Sequence, residues 1–374
     1  MPTLPRYLRA SRVFLVFEVN TVALAVASLA RADAPSAEFG YDFDQGAFIR
    51  TRDDAWELNP YAMVQLQQVS LFEKGEVSSA TFSLHSAKLI FHGHIFHPTL
   101  TYHFQLNAGE GKVAAENVYL RWDPDRALGL LVGQIEVPFN RQHITLEAYQ
   151  QLIDRSIVDQ RFTLQRDIGA AAYAGDRGHR FEATLGVWNG ARQNAPNDNK
   201  SFMRTLRLAY NPWGPIIYRE ADLDDSRSPR LSIAAAGAYN PARVVVDPNG
   251  VSPPVIWHHV AQAVGEITLR YRGLSLSTEL HARNFSLEDG TAKLQVGAFG
   301  QLGVFVIRRH LEIEARFAAI DGKLGPKDAT RELTAGVSWY IRNHRLKVQA
   351  DTSRLETRDA TLDYRVRSQL EFFM

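Results

Sequence analysis

The stretch from Thr361 to Met374 alternates between two chemistries. Leu362, Tyr364, Val366, Leu370, Phe372 and Met374 share one parity, while Asp363, Arg365, Arg367, Gln369 and Glu371 occupy the other. A helix, repeating every ~3.6 residues, would mix these sets; a strand keeps them on opposite faces. One face is therefore apolar and the other charged. The same split recurs at Leu311, Ile313, Ala315 and Phe317 against Glu312, Glu314 and Arg316, and at Leu100, Tyr102, Phe104 and Leu106 against Thr101, His103, Gln105 and Asn107. Strands that turn an apolar face to lipid must close into a barrel, because an open edge would leave backbone groups unpaired in hydrocarbon.

Such runs, counted from Asn59, number about sixteen, each of roughly nine to eleven residues, the length of a tilted membrane-spanning strand. Their centres lie near Val64, Lys88, Phe104, Leu120, Val132, Ala171, Leu185, Leu208, Ala235, Leu269, Ser277, Gly300, Ile313, Val337, Val348 and Val366. Short links such as Ile341 to Arg345 alternate with long polar ones such as Arg219 to Arg230 and Asn240 to Pro254. This predicts an all-β fold: a transmembrane antiparallel β-barrel of about sixteen strands, with short periplasmic turns and long outer loops. A soluble β-sandwich is the competing reading, since it also alternates faces. Against it stand the charge concentrated on one parity and the aromatics at strand ends, Tyr210, Trp213, Trp339, Tyr340 and Tyr364, which suit interfacial girdles.

Composition removes other classes. Mean hydropathy of −0.22 excludes a bundle of transmembrane helices, each of which needs about 20 apolar residues in a row. With no cysteine there is no disulfide framework, thiolate metal site or thiol nucleophile. A formal charge of +1 speaks against nucleic acid as a partner.

The N-terminus reads as an export signal. Arg6, Arg9 and Arg12 precede the apolar run Thr21 to Ala30, and Ala30-Arg31-Ala32 supplies an A-x-A cleavage site. The predicted organisation is a signal peptide over 1–32, a lead-in segment over 33–58 and the barrel over 59–374. The bacterial outer membrane follows as the destination, with lipid and lipopolysaccharide around the wall. The terminal apolar alternation, with Phe372 and Phe373 just before Met374, is similar to the C-terminal signal read by barrel-assembly machinery.

Between Gly133 and Tyr173 the chain carries Gly133-Gln134, Pro138-Phe139 and Arg166-Asp167-Ile168-Gly169, and upstream Gly46 to Asp53 reads GAFIRTRD. This resembles the phosphate-selective porin O and P family, in which a G-Q-x-x-x-P-F strand leads into a long loop and an R-D-x-G strand. The resemblance implies a sixteen-stranded outer-membrane porin, usually a homotrimer, passing small hydrophilic solutes by passive diffusion with a preference for anions such as phosphate. Where the family tends to carry R-R-x-R on the second strand, this chain has His85-Ser86-Ala87-Lys88, with only Lys88 keeping a fixed charge.

Selectivity in so wide a barrel depends on what narrows it. Asn140 to Arg166 is the longest connection without alternation, and it follows Pro138, which cannot continue a ladder. It is expected to fold inward as a constriction loop. Arg141, His143, Arg155, Arg161 and Arg166 in that loop, with Lys88 and Arg121 on the wall, are the candidate pore-lining and anion-binding residues, guanidinium groups being suited to oxyanions. Glu147, Asp154 and Asp159 share the loop, so each arginine is equally able to serve as a structural tether. The inward parity of the wall mixes bases with acids, which predicts weak selectivity and a transverse field.

His92, His94 and His97 invite a metal reading, but no carboxylate stands near them in sequence, and an exposed turn is the preferred reading. Glu220, Asp222, Asp224 and Asp225 lack the calcium-loop pattern and read as a solvated outer loop. The sequence has no G-x-S-x-G, H-E-x-x-H, phosphate-binding loop or G-x-G-x-x-G, so neither an enzyme nor a cofactor is expected. A plugged structural or adhesive barrel, or a barrel hydrolase, remains as the alternative.

Overall fold

The computed structural model describes residues 37–42, 46–125, 127–176, 178–197, 199–241, 244–246, 255–287, 290–321, 329–357 and 361–374. The predicted signal peptide, 1–32, lies outside them. Nineteen strands pair in one antiparallel sheet. Three are accessory: β1 (Ala37–Asp42) and β2 (Gly46–Thr51) form a hairpin laid against the start of β3, and β12 (Val244–Val246) pairs with β13. The other sixteen close the barrel. They are β3 (Trp56–Glu73), β4 (Glu76–Ile95), β5 (His97–Asn107), β6 (Ala114–Asp125), β7 (Leu128–Glu136), β8 (Arg166–Gly175), β9 (Phe181–Trp188), β10 (Met203–Tyr210), β11 (Arg230–Asn240), β13 (Val255–Tyr271), β14 (Leu274–Leu287), β15 (Ala292–Ile307), β16 (Leu311–Asp321), β17 (Ala329–Arg342), β18 (Leu346–Thr357) and β19 (Thr361–Phe373). Closure is made by β19 on β3, from Tyr364↔Phe72 to Phe373↔Met63.

Every predicted strand centre falls inside one of these sixteen strands, because a period of two is enforced by the lipid on one side and the lumen on the other. Leu185, Leu208, Leu280, Ile313, Phe317 and Leu333 are exposed on the outer wall, while Arg207, Glu279, Arg316, Glu332 and Lys347 are buried inside. The burial is inverted relative to a soluble protein. Strand length departs from expectation: β3 and β4 run to 18 and 20 residues; β19 accompanies β3 as far as Phe72, whereas β4 pairs with β5 only from Lys88 onward, so the first half of β4 is paired only within the β3–β4 hairpin. Its tip is the Lys74-Gly75 turn, both residues at positive φ, a geometry that matches the twist of paired strands.

The connections at one end are short, including Arg272-Gly273 and 343–345. The other end carries 108–113, 137–165 and the connections that follow β9, β11 and β16. Short turns mark the periplasmic end of such barrels. One prediction fails here. The segment containing Arg219 to Arg230, expected as an outer loop, joins β10 to β11 at the short-turn end, and Glu220 and Asp222, expected to be solvated, are buried. It turns back into the lumen instead.

Candidate functional site

The lumen is filled from both ends. From the long-loop end, residues 137–165 descend as the short helices α1 (Arg141–Ile144) and α2 (Ile157–Phe162) joined by irregular chain. From the short-turn end, 211–229 rises to meet them. Irregular backbone inside a barrel exposes N–H and C=O groups that no ladder satisfies, and the wall supplies the partners with a division of labour. Wall carboxylates take loop N–H groups: Glu266 accepts from Arg141, Glu279 from Gln142, Asp351 from Ile153 and Glu332 from Ile157. Wall cations donate to loop carbonyls: Arg207 to Phe139, Lys347 to Gln150, Arg316 to Asp154 and Arg283 to Arg161. The cations and carboxylates also pair with one another, Arg207 with Glu266 at 2.6 Å, Arg316 with Glu332 at 2.6 Å and Arg367 with Asp351 at 2.7 Å. The mixed wall charge is thus a docking face for the loop. Apolar contacts complete it, with Val158 and Phe162 of α2 against Phe299, Ala318 and Ile320 of the wall.

The seven candidate residues all sit within or beside this structure, and Lys88, Arg141, Arg155 and Arg166 are held by partners within it. Lys88 lies between Glu116 of the wall and Glu147 of the loop, 2.8 Å from each. Arg166, which the structure places in β8, meets Glu136 at 2.7 Å and Asn117 at 3.1 Å. Arg155 donates to the carbonyls of Gln142, His143 and Thr145, and Glu147 and Asp159 flank it at 3.8 and 3.9 Å. His143 sits 3.3 Å from Asp159. Arg141 donates to Ile217 O and stacks over Tyr218, 4.4 Å from its ring centre. The main chain of Arg161 receives Arg283. Arg121 is the most open: its Nε donates to Asp123, its guanidinium lies over Tyr173, and its side chain is 37% exposed.

Burial would raise the loop carboxyls, yet the surrounding cations win. Glu147 is held well below the ordinary carboxylate range by Lys88 and Arg155, Asp154 is lowered by Arg367 and Arg365, and Asp159 by His143 and Arg155. Burial would lower Arg155, but Asp159, Glu136 and Glu147 raise it. The loop is an ionised, mutually neutralised network.

Open space remains on the opposite side, along β3 to β10, as two recesses of about 510 and 590 Å³ that share Asn117 and Leu146. The first is lined by Tyr119, Arg121, Tyr173, Ile144 and Tyr218. The second is lined by Tyr61, His92, His103 and Tyr149, with Arg219, Arg309 and Arg345 against Asp224. Those three arginines escaped sequence reasoning because they stand in turns and in the inward segment, where no alternation marks them. Histidine placement also differs from expectation. His92 stands in β4 and is stacked between Tyr61 and His103, not in an exposed turn. His94 has carboxylate neighbours after all, since the backbone brings Asp54 and Glu57 to it with ligand atoms within 4.8 Å of one another. These are the residues that offer a divalent ion a partial ligand set.

The phosphate-selective porin O and P family matches residues 63–212, a span that contains the Gly133 to Tyr173 motifs on which the resemblance was read. No curated protein matches the sequence. Among solved structures, the loop L8 deletion mutant of the outer membrane protein OmpT of Vibrio cholerae superposes with a TM-score of 0.58 at 12% identity, covering 86% of this chain and 100% of that one. An anion-selective porin from Comamonas acidovorans gives 0.58 at 13%, covering 85% and 100%. The outer membrane channel DcaP of Acinetobacter baumannii gives 0.57 at 9%, covering 87% and 99%. At these identities the likeness shows the fold, a closed outer-membrane barrel.

Proposed function

We propose that this outer-membrane barrel, whose residues 63–212 match the phosphate-selective porin O and P family, is a passive diffusion channel for small hydrophilic solutes with a modest preference for anions. The observation that carries this reading is the pair of adjoining recesses along β3 to β10, on the side that the inserted chain leaves uncovered. The preference rests on Arg219, Arg309 and Arg345 outnumbering Asp224 around the second recess; the first adds no excess, since Arg121 and Arg207 there face Asp123, Glu136 and Glu182. Loop residues Arg141 and Arg155, expected as anion ligands, act in this reading chiefly as struts, since a cation bound to carbonyls and carboxylates leaves little net field for a passing oxyanion, and Arg161 is read with them through the main-chain carbonyl that receives Arg283.

A plugged structural barrel is the second reading, favoured by the contact of the two inserted segments: Glu220 accepts from Gln142 and from the main chain of Gln151, and Arg219 lies over Tyr149. A hydrolase finds less support. The buried His143 and His281 each have a carboxylate partner, but the far ring nitrogen of each carries no hydrogen bond among the described residues, so at these two positions no nucleophilic hydroxyl completes a triad.

Liposome swelling separates these readings. Proteoliposomes holding the folded barrel are expected to swell in solutes of low mass and to stop at a sharp size limit. No swelling in any solute would establish the plug.

A further inference from the structure

Tyr61, His92, His103 and Tyr119 form one row across β3 to β6, with ring centres 5.0, 6.4 and 5.1 Å apart and planes within 13° of parallel. Their faces are turned to one another, which leaves the ring edges for the lumen. The row ends at Tyr119 for a definable reason. Its partner across the β6–β7 ladder is Gly133, which has no side chain, and an added Cβ there would lie 2.3 Å from Val118 O. Tyr119, the last ring of the row, lines the first recess. Tyr173 stands further along the same wall with Arg121 over its ring at 4.6 Å, and Ile144, Leu146 and Tyr218 of the inserted segments face it. The Nε of Arg121 is committed to Asp123, while its terminal amino groups carry no hydrogen bond among the described residues.

We propose that this recess is a binding site for a planar organic anion, an aromatic carboxylate in the simplest case, taken up from the lumen on its way through the channel. The inference rests on the porin reading above and names its solute class. Three features carry it. The recess combines apolar surface with convergent polar groups, as small-molecule sites do; of its three carboxylates, Asp123 is met by Arg121 and Glu136 by Arg166, and Glu182 stands beside them. Aromatic edges are electropositive and favour the π face or the carboxylate oxygens of a flat anion over a hydrated sphere. A guanidinium with free amino groups at the rim gives the carboxylate a paired donor. Phosphate would be poorly served by the same walls, having charge on every side and no apolar body to bury.

The test is block of ion current. With the barrel in a planar bilayer and potassium chloride on both sides, benzoate is added to each side in turn, followed by propionate, inorganic phosphate and glucose. Benzoate is expected to block at a concentration about tenfold below propionate or phosphate, a ratio corresponding to one well-made ring contact. The double variant Tyr119→Leu/Tyr173→Leu, checked for heat-modifiable migration as proof of folding, is expected to abolish that ratio. Arg121→Gln is expected to weaken benzoate and propionate together. Equal block by benzoate and propionate, block by glucose at benzoate's concentration, or a ratio untouched by the double variant would each overturn the proposal. Calorimetry of benzoate with the detergent-folded barrel separates the two claims: binding without conduction keeps the site and removes the porin reading, and conduction without binding does the reverse.

Discussion

Lys88 and Glu147 meet at 2.8 Å inside the barrel. The one fixed charge that the chain keeps in its otherwise depleted second-strand basic cluster is spent on holding the constriction loop to the wall, with Glu116 on its other side. Lys88→Met therefore leaves two carboxylates facing each other in a buried space. Breaking such a pair costs on the order of 3 kcal/mol, enough to loosen the loop without unfolding the barrel. The expected result is a noisier open state and a reversal potential shifted toward cations, both read from single-channel records. Lys88→Arg restores the quiet state. Records unchanged by Lys88→Met would remove the tether.

The loop carboxyls set a pH dependence. Glu147, Asp154 and Asp159 have folded-state values depressed by their cations, so their contribution is complete above the ordinary carboxylate value of about 4 and is lost as pH falls through the folded values. The share of loop docking that these three groups supply should be constant from pH 8 to pH 5 and weaken below about pH 4. Current noise and tryptic cleavage within 137–165 should rise together on acidification and recover on neutralisation. Loosening between pH 8 and pH 5 instead would assign the control to other groups.

Gly133 has a backbone requirement as well as a spatial one, with φ at +140°. Gly133→Val should cost on the order of 1–3 kcal/mol in backbone strain, beyond the clash with Val118, and reduce the yield of heat-modifiable barrel on refolding. Gly300→Ala, where nothing lies within 4 Å of an added Cβ, is the matched control and should refold normally. Equal yields would show that β6 and β7 shift freely past each other.

The segment 211–229 replaces what is elsewhere at that end a short turn. Exchanging Pro212 to Ser228 for Asn-Gly should leave the strands able to pair, since such a turn suits a hairpin. It removes the carbonyl of Ile217 that receives Arg141 and widens the periplasmic mouth. Conductance should rise by about a factor of two, as expected when a wide barrel loses an obstruction. Unchanged conductance would place the narrowest point wholly within 137–165.

The fold was legible because lipid and lumen impose one rule on every strand, and residues such as Ile313 and Glu312 obey it without regard to their neighbours. The inward course of 137–165 was legible for the same reason in reverse, since Pro138 and the loss of alternation mark its start. The role of its charges was not. Whether Arg155 serves an anion or the carbonyls of Gln142 and Thr145 depends on a loop path that no local pattern encodes. The inward turn of 211–229 escaped because Glu220 and Asp222 have the composition of a solvated loop; they are buried because Gln142, Gln151, Gln301 and the Gly273 N–H come to them from elsewhere in the chain. The Asp54, Glu57 and His94 grouping was hidden by the same distance along the chain.

The central claim is that the inserted loop's cations are structural and that solutes pass along the uncovered β3 to β10 side. The most direct measurement is the reversal potential of single channels in a potassium chloride gradient, repeated for Arg141→Ala/Arg155→Ala/Arg161→Ala and with phosphate on one side. The account predicts stable steps, a weak anion bias that the triple variant does not abolish, and no block by phosphate at concentrations well below those of chloride. Strong anion selectivity that collapses in the triple variant, with saturating phosphate block in the parent, would contradict it.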